Sequence, residues 1–352
     1  MQNIASIFLC AVILFVGCEQ KAQEQKVNDQ YVFSGERHLT NIRMLTEAGE
    51  NAEAYFSFDQ TRLVYQAKVG SFECDQIYTM KLDGSENTMV STGKGRTTCS
   101  FFMPGDSTVV YASTHLDNDA CPPPPDRSHG YVWQLYDSFD IFVADREGNI
   151  VKQLTDTPGY DAEAVVSPRG DKIAFTTTRD GDPEIYTMDL DGGNQKRLTN
   201  LRGYDGGPFF SPDGSQIVFR ASRPRTPEEQ EDYNELVEKG YVRPTALEIY
   251  VMDVDGENIR QVTNLGKASF APYFHPDGKR IIFSSNINSK SGRNFDLYII
   301  NVDGSGLEQV TFNETFDGFP MFSRDGKQLV FGSNRFNKNK GDTNIFLADW
   351  VD

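Results

Sequence analysis

The chain has 352 residues with a hydrophobic share of 38%, enough to build the core of one large domain or two ordinary ones. Its formal net charge of −17 repels phosphate backbones, which excludes nucleic acid as the expected partner and leaves basic protein surfaces and cations. The 30 Gly and 16 Pro point to many turns, as an all-β chain requires.

The first element is an uncharged, mostly apolar run, Ile4–Gly17. It is too short for the roughly 20 residues that span a bilayer, and it reads as the core of an export signal covering residues 1–17. It ends in Leu14-Phe15-Val16-Gly17-Cys18. That pattern resembles the bacterial lipobox, in which a small residue precedes a cysteine that is acylated and becomes the new N-terminus. Cys18 is therefore the expected lipidation site, and residues 18–35 the expected tether to a membrane. Three cysteines remain beyond it: Cys74, Cys99 and Cys121. Export permits disulfides, and three thiols allow one internal pair with one left over. Cys121 pairing with Cys99 and Cys121 pairing with Cys74 both stay open.

From residue 36 onward one pattern recurs six times. Each copy starts with an apolar run ending in a tight turn: Phe56-Ser57-Phe58-Asp59, Phe102-Met103-Pro104-Gly105, Val166-Ser167-Pro168-Arg169-Gly170, Phe210-Ser211-Pro212-Asp213-Gly214, Phe274-His275-Pro276-Asp277-Gly278 and Phe322-Ser323-Arg324-Asp325-Gly326. Pro presets φ, Asp bonds its own backbone and Gly takes φ > 0, so the motif reverses the chain. A second strand follows each turn, as in Ile217-Val218-Phe219, and after a variable loop a third, as in Glu248-Ile249-Tyr250. A fourth strand ends in Thr: Thr92, Thr155, Thr199, Thr263 and Thr311, with an additional copy at Thr46 ahead of the first repeat. The unit is near 45 residues, the size of a four-stranded blade. Continuous apolar runs indicate strands covered on both faces. The predicted fold is an all-β, six-bladed β-propeller over residues 36–352. The N-terminal strand, about residues 36–46, closes the last blade, which otherwise stops after its third strand.

Ser211-Pro212-Asp213-Gly214, Glu184-Ile185-Tyr186-Thr187-Met188-Asp189 and Arg197-Leu198-Thr199 are similar to the repeat signature of TolB-like propellers. The resemblance covers about residues 36–352. It implies a TolB-like propeller lipoprotein of the bacterial cell envelope, periplasm-facing or at the outer membrane. Proteins of the TolB type carry an α/β domain ahead of the propeller, whereas here a short polar stretch follows Cys18. The resemblance therefore implies a lipoprotein relative rather than the Tol–Pal component itself.

Two insertions interrupt the repeat, about residues 115–138 and 223–246. Both fall between second and third strands, on the face opposite the Pro-Asp-Gly turns, which marks that face as the expected working face. The first contains the stiff run Cys121-Pro122-Pro123-Pro124-Pro125 and then Arg127, His129, Tyr131 and Trp133. It reads either as a flap with its rings packed inward or as a contact surface. The second carries Thr226-Pro227-Glu228-Glu229, a capping box that starts a helix ending near Gly240. Loops between blades supply Asp161, Glu163, Asp205 and Asp317, and the ends of second strands supply Arg179, Arg223 and Arg335. This set reads either as a ring that grips a peptide terminus, basic side chain or cation, or as pairs that hold the blades themselves.

No Gly-x-Ser-x-Gly elbow and no paired His or Cys metal spacing is present. The expected function is a non-catalytic, monomeric platform with no cofactor and no metal. It binds an envelope protein or peptide at the channel mouth. The alternatives are a metal-dependent lyase or hydrolase using His115 and His129, and a carbohydrate-binding propeller stacking sugars on Tyr131 and Trp133.

Overall fold

A computed structural model describes residues 29–352. The expected export signal, Cys18 and the first part of the expected tether lie outside the described residues. Six four-stranded antiparallel sheets form the body of the fold. Their first strands are Glu50–Phe56, Thr97–Phe102, Asp161–Val166, Asp205–Phe210, Ser269–Phe274 and Asp317–Phe322. These strands touch one another in cyclic order, the sixth against the first, so they form the inner wall of a closed ring. Blades 1 to 6 are numbered here by that order.

The sixth blade takes its outermost strand from the other end of the chain. Leu39–Met44 pairs antiparallel with Asn344–Trp350, Leu39 opposite Trp350 and Met44 opposite Phe346. Residues just before this strand also join the blade: Tyr31 packs edge-on against Phe346, and Phe33 stacks on Phe336.

The repeated hydroxyl explains why the blades hold their shape. In each blade it accepts the first backbone N–H of the third strand's apolar run. Thr155, Thr199, Thr263 and Thr311 do so for Ile141, Ile185, Ile249 and Leu297 at 2.8–2.9 Å. Blade 6 uses Thr46 on Ile345, 2.9 Å, so the closing strand brings its own anchor. In blade 1 the anchor is Ser91 on Ile77, 3.0 Å, one residue before the expected Thr92. A buried N–H left without such a partner is costly, which keeps a hydroxyl at this place in every repeat.

The Pro-Asp-Gly turns form as expected. The Ser211 hydroxyl donates to Asp213 and accepts from the backbone of Ser215 and Gln216. Gly214 and its equivalents Gly170, Gly278 and Gly326 sit at φ 67–70°. Aromatic residues such as Phe102, Phe142, Phe175, Phe219 and Phe283 fill the space between blades and are fully buried.

The two insertions meet. Trp133–Gln134 pairs with Tyr241–Val242 in a separate two-stranded sheet. Behind it lies the helix Pro227–Glu238, started by the Thr226–Glu229 capping box, with Tyr233 and Leu236 buried. Arg243 binds Asp232 at 2.8 and 2.9 Å and the His129 carbonyl at 2.9 Å. A Cys74–Cys121 disulfide, Cα atoms 5.8 Å apart, fixes the start of the first insertion to blade 1, and Cys99 is the free thiol. Together the insertions make a lid over one end of the ring.

Candidate functional site

Every inner strand carries a bulge at the same register. The bulge residue sits in the left-handed region: Glu53, Cys99, Glu163, Gly207, Ala271 and Phe319, at φ 49–59°. Bulges bend a strand and re-aim the side chain that follows the extra residue. Here they bring all six residues to one small chamber of about 30 Å³, which Tyr55 and Arg220 also line.

Arg220 reaches the chamber from the second strand of blade 4, and two glycines make that possible. A Cβ on Gly207 would collide with the Arg220 guanidinium, and one on Gly206 with the Tyr204 ring and hydroxyl. Through this gap Arg220 forms an ion pair with Glu163 and donates to the Tyr204 hydroxyl at 2.7 Å. The Glu163 carboxylate also accepts from the Thr176 hydroxyl, 2.6 Å, and from the Gly207 N–H, 2.7 Å. Trp133 of the lid covers this group, its ring 5.1 Å from the Arg220 guanidinium carbon. Glu53, across the ring, has no cation of its own. Burial pushes its carboxyl up to about 7, with the Cys99 thiol pulling it down and the charge of Glu163 adding to the rise.

The Asp–Arg set occupies a different layer. Asp161, Asp205 and Asp317 begin the inner strands of blades 3, 4 and 6 and are almost wholly buried. Each is held by the arginine that follows its own blade's second strand. Arg179 bridges both oxygens of Asp161 at 3.1 Å, Arg223 binds Asp205 at 2.6 Å, and Arg335 binds Asp317 at 3.0 Å. Arg335 also holds Glu36, at 3.0 Å, and is 1% exposed. Burial raises the carboxyl of Asp161 and takes that of Asp205 to about 7, against the pull of their arginines. These carboxylates are thus committed to intramolecular partners.

Residues of the first insertion separate into two groups. Trp133 faces inward, packed edge-on against Tyr204 and Phe270. Tyr131 is 60% exposed, and Arg127 and His129 share a short 3-10 turn on the surface beside it. His115 packs on Phe142 and His129 on Tyr241. Among the described residues no three His, Cys, Asp or Glu side chains converge as a metal cage.

The opposite end of the ring is open. There the Pro-Asp-Gly turns surround a funnel of about 210 Å³. Phe101, Val165, Phe209, Tyr273 and Met321 form its floor, and Phe58, Pro168, Pro212 and Pro276 its rim. Tyr55, Phe101, Phe209 and Tyr273 contact in series, Tyr55 with Phe101 and Phe209 and Phe209 with Tyr273, at centroid distances of 5.3–5.8 Å. This apolar collar separates funnel from chamber. Arg324 is the charged residue of the rim, its guanidinium carbon 4.8 Å from the Phe58 ring centre.

A family model described as the TolB beta propeller domain matches residues 125–231 and 241–350. The chain belongs to the TolB β-propeller family. Among solved structures, a putative TolB from Agrobacterium tumefaciens is 19% identical with a TM-score of 0.57, covering 88% of this chain and 94% of that one. TolB from Acinetobacter baumannii is 18% identical with a TM-score of 0.55, covering 86% of this chain and 63% of its own. An oligogalacturonate lyase from Vibrio parahaemolyticus is 13% identical with a TM-score of 0.51, covering 91% and 95%. At these identities the likeness is one of fold. No curated protein matches the sequence.

For a TolB-family propeller, the chamber residues Glu53, Tyr55 and Arg220 were the ones sequence reasoning passed over. A signal was present in Asp205-Gly206-Gly207-Pro208, where adjacent glycines interrupt an inner strand. Glycine inside a strand marks a place where another group approaches closely.

Proposed function

We propose that this TolB-family propeller is a non-catalytic binding platform of the cell envelope that takes a protein or peptide partner in the funnel at the Pro-Asp-Gly end. The observation that carries the proposal is the funnel itself: an open, aromatic- and proline-walled hollow of about 210 Å³ with Arg324 on its rim. Aromatic anchors in a concave apolar site supply most of the energy of a protein contact. Arg324 selects the partner chemistry, an apolar side chain next to a carboxylate. The strong overall negative charge disfavours an acidic partner elsewhere on the surface, which confines such a partner to this rim. The apolar run before Cys18, and Cys18 itself, support export and lipid anchoring.

The committed state of Asp161, Asp205 and Asp317 supports placing the contact away from them. Tyr131, with Arg127 and His129 beside it, is an exposed patch on the lid and gives the partner a second possible landing place. A photo-crosslinking residue placed at Phe58, and separately at Tyr131, distinguishes the two in intact cells. The proposal expects one defined adduct from Phe58, lost when Arg324→Glu is added, with an unchanged melting midpoint. Adducts from Tyr131 alone would move the contact to the lid. An adduct from Phe58 that ignores Arg324→Glu would remove the recognition argument.

A further inference from the structure

Three loops of blades 5 and 6 meet at one corner of the ring, at the end that carries the lid. Residues 286–295 and 334–343 link second to third strands, and residues 310–316 link the two blades. Asn294 donates to the Asn313 carbonyl at 3.1 Å, and the Phe316 N–H donates to the Asn334 side chain at 2.9 Å, so the loops form one surface. The chain enters the fold at this corner. Its described residues begin with the turn Asp29–Tyr31, whose last carbonyl accepts from Arg335 at 2.9 Å.

The corner exposes aromatic rings. Phe33 stacks on Phe336 at 5.3 Å, and Tyr31 meets the same ring edge-on at 5.6 Å. Phe312 covers the backbone at Gly35, where a Cβ would lie 3.2 Å from its ring. Phe336 is 53% and Phe312 39% exposed. Phe336 holds that exposure at φ 53°, a backbone conformation that bulky residues seldom adopt. Clustered apolar exposure of this kind marks a surface that another apolar phase covers.

Charge and chain path say which phase. Lys290, Arg293, Lys338 and Lys340 are exposed on these loops, and the acids near them are Glu47, which holds Lys338 at 2.8 Å, Glu314 and Asp342. The balance here is slightly positive in a chain of net charge −17. On the other side of the same end, the lid helix Pro227–Glu238 carries six acidic residues and no basic one. An anionic lipid surface therefore repels the lid side and tolerates this corner, because screening limits each charge to about 8 Å at physiological salt. Asp29 is eleven residues beyond Cys18, within about 40 Å of it even at full extension.

We infer that the corner formed by Phe33, Phe312 and Phe336, with the basic loops around it, is where the propeller rests on a lipid surface. The rings enter the headgroup boundary, and Lys290, Arg293 and Lys340 meet anionic headgroups. The inference rests on the lipid-anchor part of the proposed function only for the direction of the tether, which makes a weak contact local and repeated.

The test supplies the anchor itself, so it does not depend on lipidation in cells. The chain from residue 18 onward, with Cys18→Ser and a hexahistidine tag ahead of it, is held on vesicles of phosphatidylcholine, phosphatidylglycerol and nickel-chelating lipid. A photo-crosslinking residue at Phe336 should form lipid adducts. The same residue at Val151, 60% exposed on the outer strand of blade 2, should not. Lys290→Glu with Lys340→Glu, both at exposed positions, should lower the Phe336 yield at least fivefold with an unchanged melting midpoint, since each basic residue near the surface is worth about a fivefold change. In the chain with no crosslinker, hydrogen exchange of residues 336–341 should slow on vesicles while that of Ile150–Gln153 does not. Equal adducts from Phe336 and Val151, none from Phe336, a yield that ignores the charge reversals, or unchanged exchange would each overturn the inference. An adduct joining two copies of the chain would overturn it in favour of self-association. Crosslinking from Phe58 reports on the funnel separately, so either reading can fail without the other.

Discussion

Replacing Arg335 by Met tests the claim that the buried pairs, rather than the anchors alone, hold the closing blade. Arg335 is 1% exposed and donates to Glu36 at 3.0 and 3.1 Å, to Asp317 at 3.0 Å and to the Tyr31 carbonyl at 2.9 Å. Its guanidinium also lies 5.0 Å from the Phe331 ring. Methionine keeps the apolar stem and leaves Glu36 and Asp317 buried with no cation. Breaking a buried pair in this way costs about 3–5 kcal/mol, a large part of a total of about 5–15 kcal/mol. At roughly 2–3 °C per kcal/mol for a domain of this size, the thermal midpoint should fall by about 6–15 °C. Near-ultraviolet circular dichroism at pH 8 reads that midpoint. Adding Glu36→Gln and Asp317→Asn to the same chain should recover most of the loss, because a neutral trio has no charge left to desolvate. A single variant that melts within about 2 °C of wild type would refute the reasoning.

Three further outcomes are expected. Replacing Cys74 and Cys121 together by Ser opens a loop of sequence separation 47 and should cost about 4 kcal/mol by the chain-entropy estimate, measured by urea unfolding under non-reducing conditions. Thr263→Val removes the acceptor for the Ile249 N–H and the donor to Glu248; it should cost about 1–3 kcal/mol in the same assay. Asp296 has a buried, unpartnered oxygen, and burial, with the charge of Asp317 next, raises its carboxyl to about 7. Its folded pKa lies above its unfolded one, so its contribution to stability is lost as pH rises from about 4 to about 7. Asp296→Asn should therefore raise the midpoint at pH 8 more than at pH 5; equal shifts at both would show that Asp296 does not titrate in that window.

The blades were legible because their signals are local and repeated. Pro-Asp-Gly turns and the recurring hydroxyl are read within a few residues, and the extra Thr46 ahead of the first repeat gave away the closing strand. The slip from Ser91 to Thr92 came from adjacent hydroxyls, which only backbone geometry tells apart. The capping box of the helix was equally local. The chamber was not legible for the opposite reason. Glu53, Cys99, Glu163 and Arg220 lie far apart in the chain, and their meeting depends on a bulge register whose one mark in residue type is Gly206-Gly207. Nor does a two-residue ladder between Trp133–Gln134 and Tyr241–Val242 announce itself, since either stretch alone is too short to read as a strand. The funnel floor is built from the same apolar runs that fill every blade, so nothing in Phe209 or Tyr273 distinguished a wall from a core. The Asp–Arg residues were found from their repetition, and the structure pairs Asp161, Asp205 and Asp317 with Arg179, Arg223 and Arg335.

The seam between Leu39–Met44 and Asn344–Trp350 has a mechanical consequence. The earliest described strand and the last are neighbours, so the ring stays incomplete until the final residues have emerged, and contacts this remote in sequence are slow to form. Once made, that seam takes the strain of any pull on the leading end before the other five blades feel it. A molecule hung from its N-terminus would be suspended by the junction that finished it last.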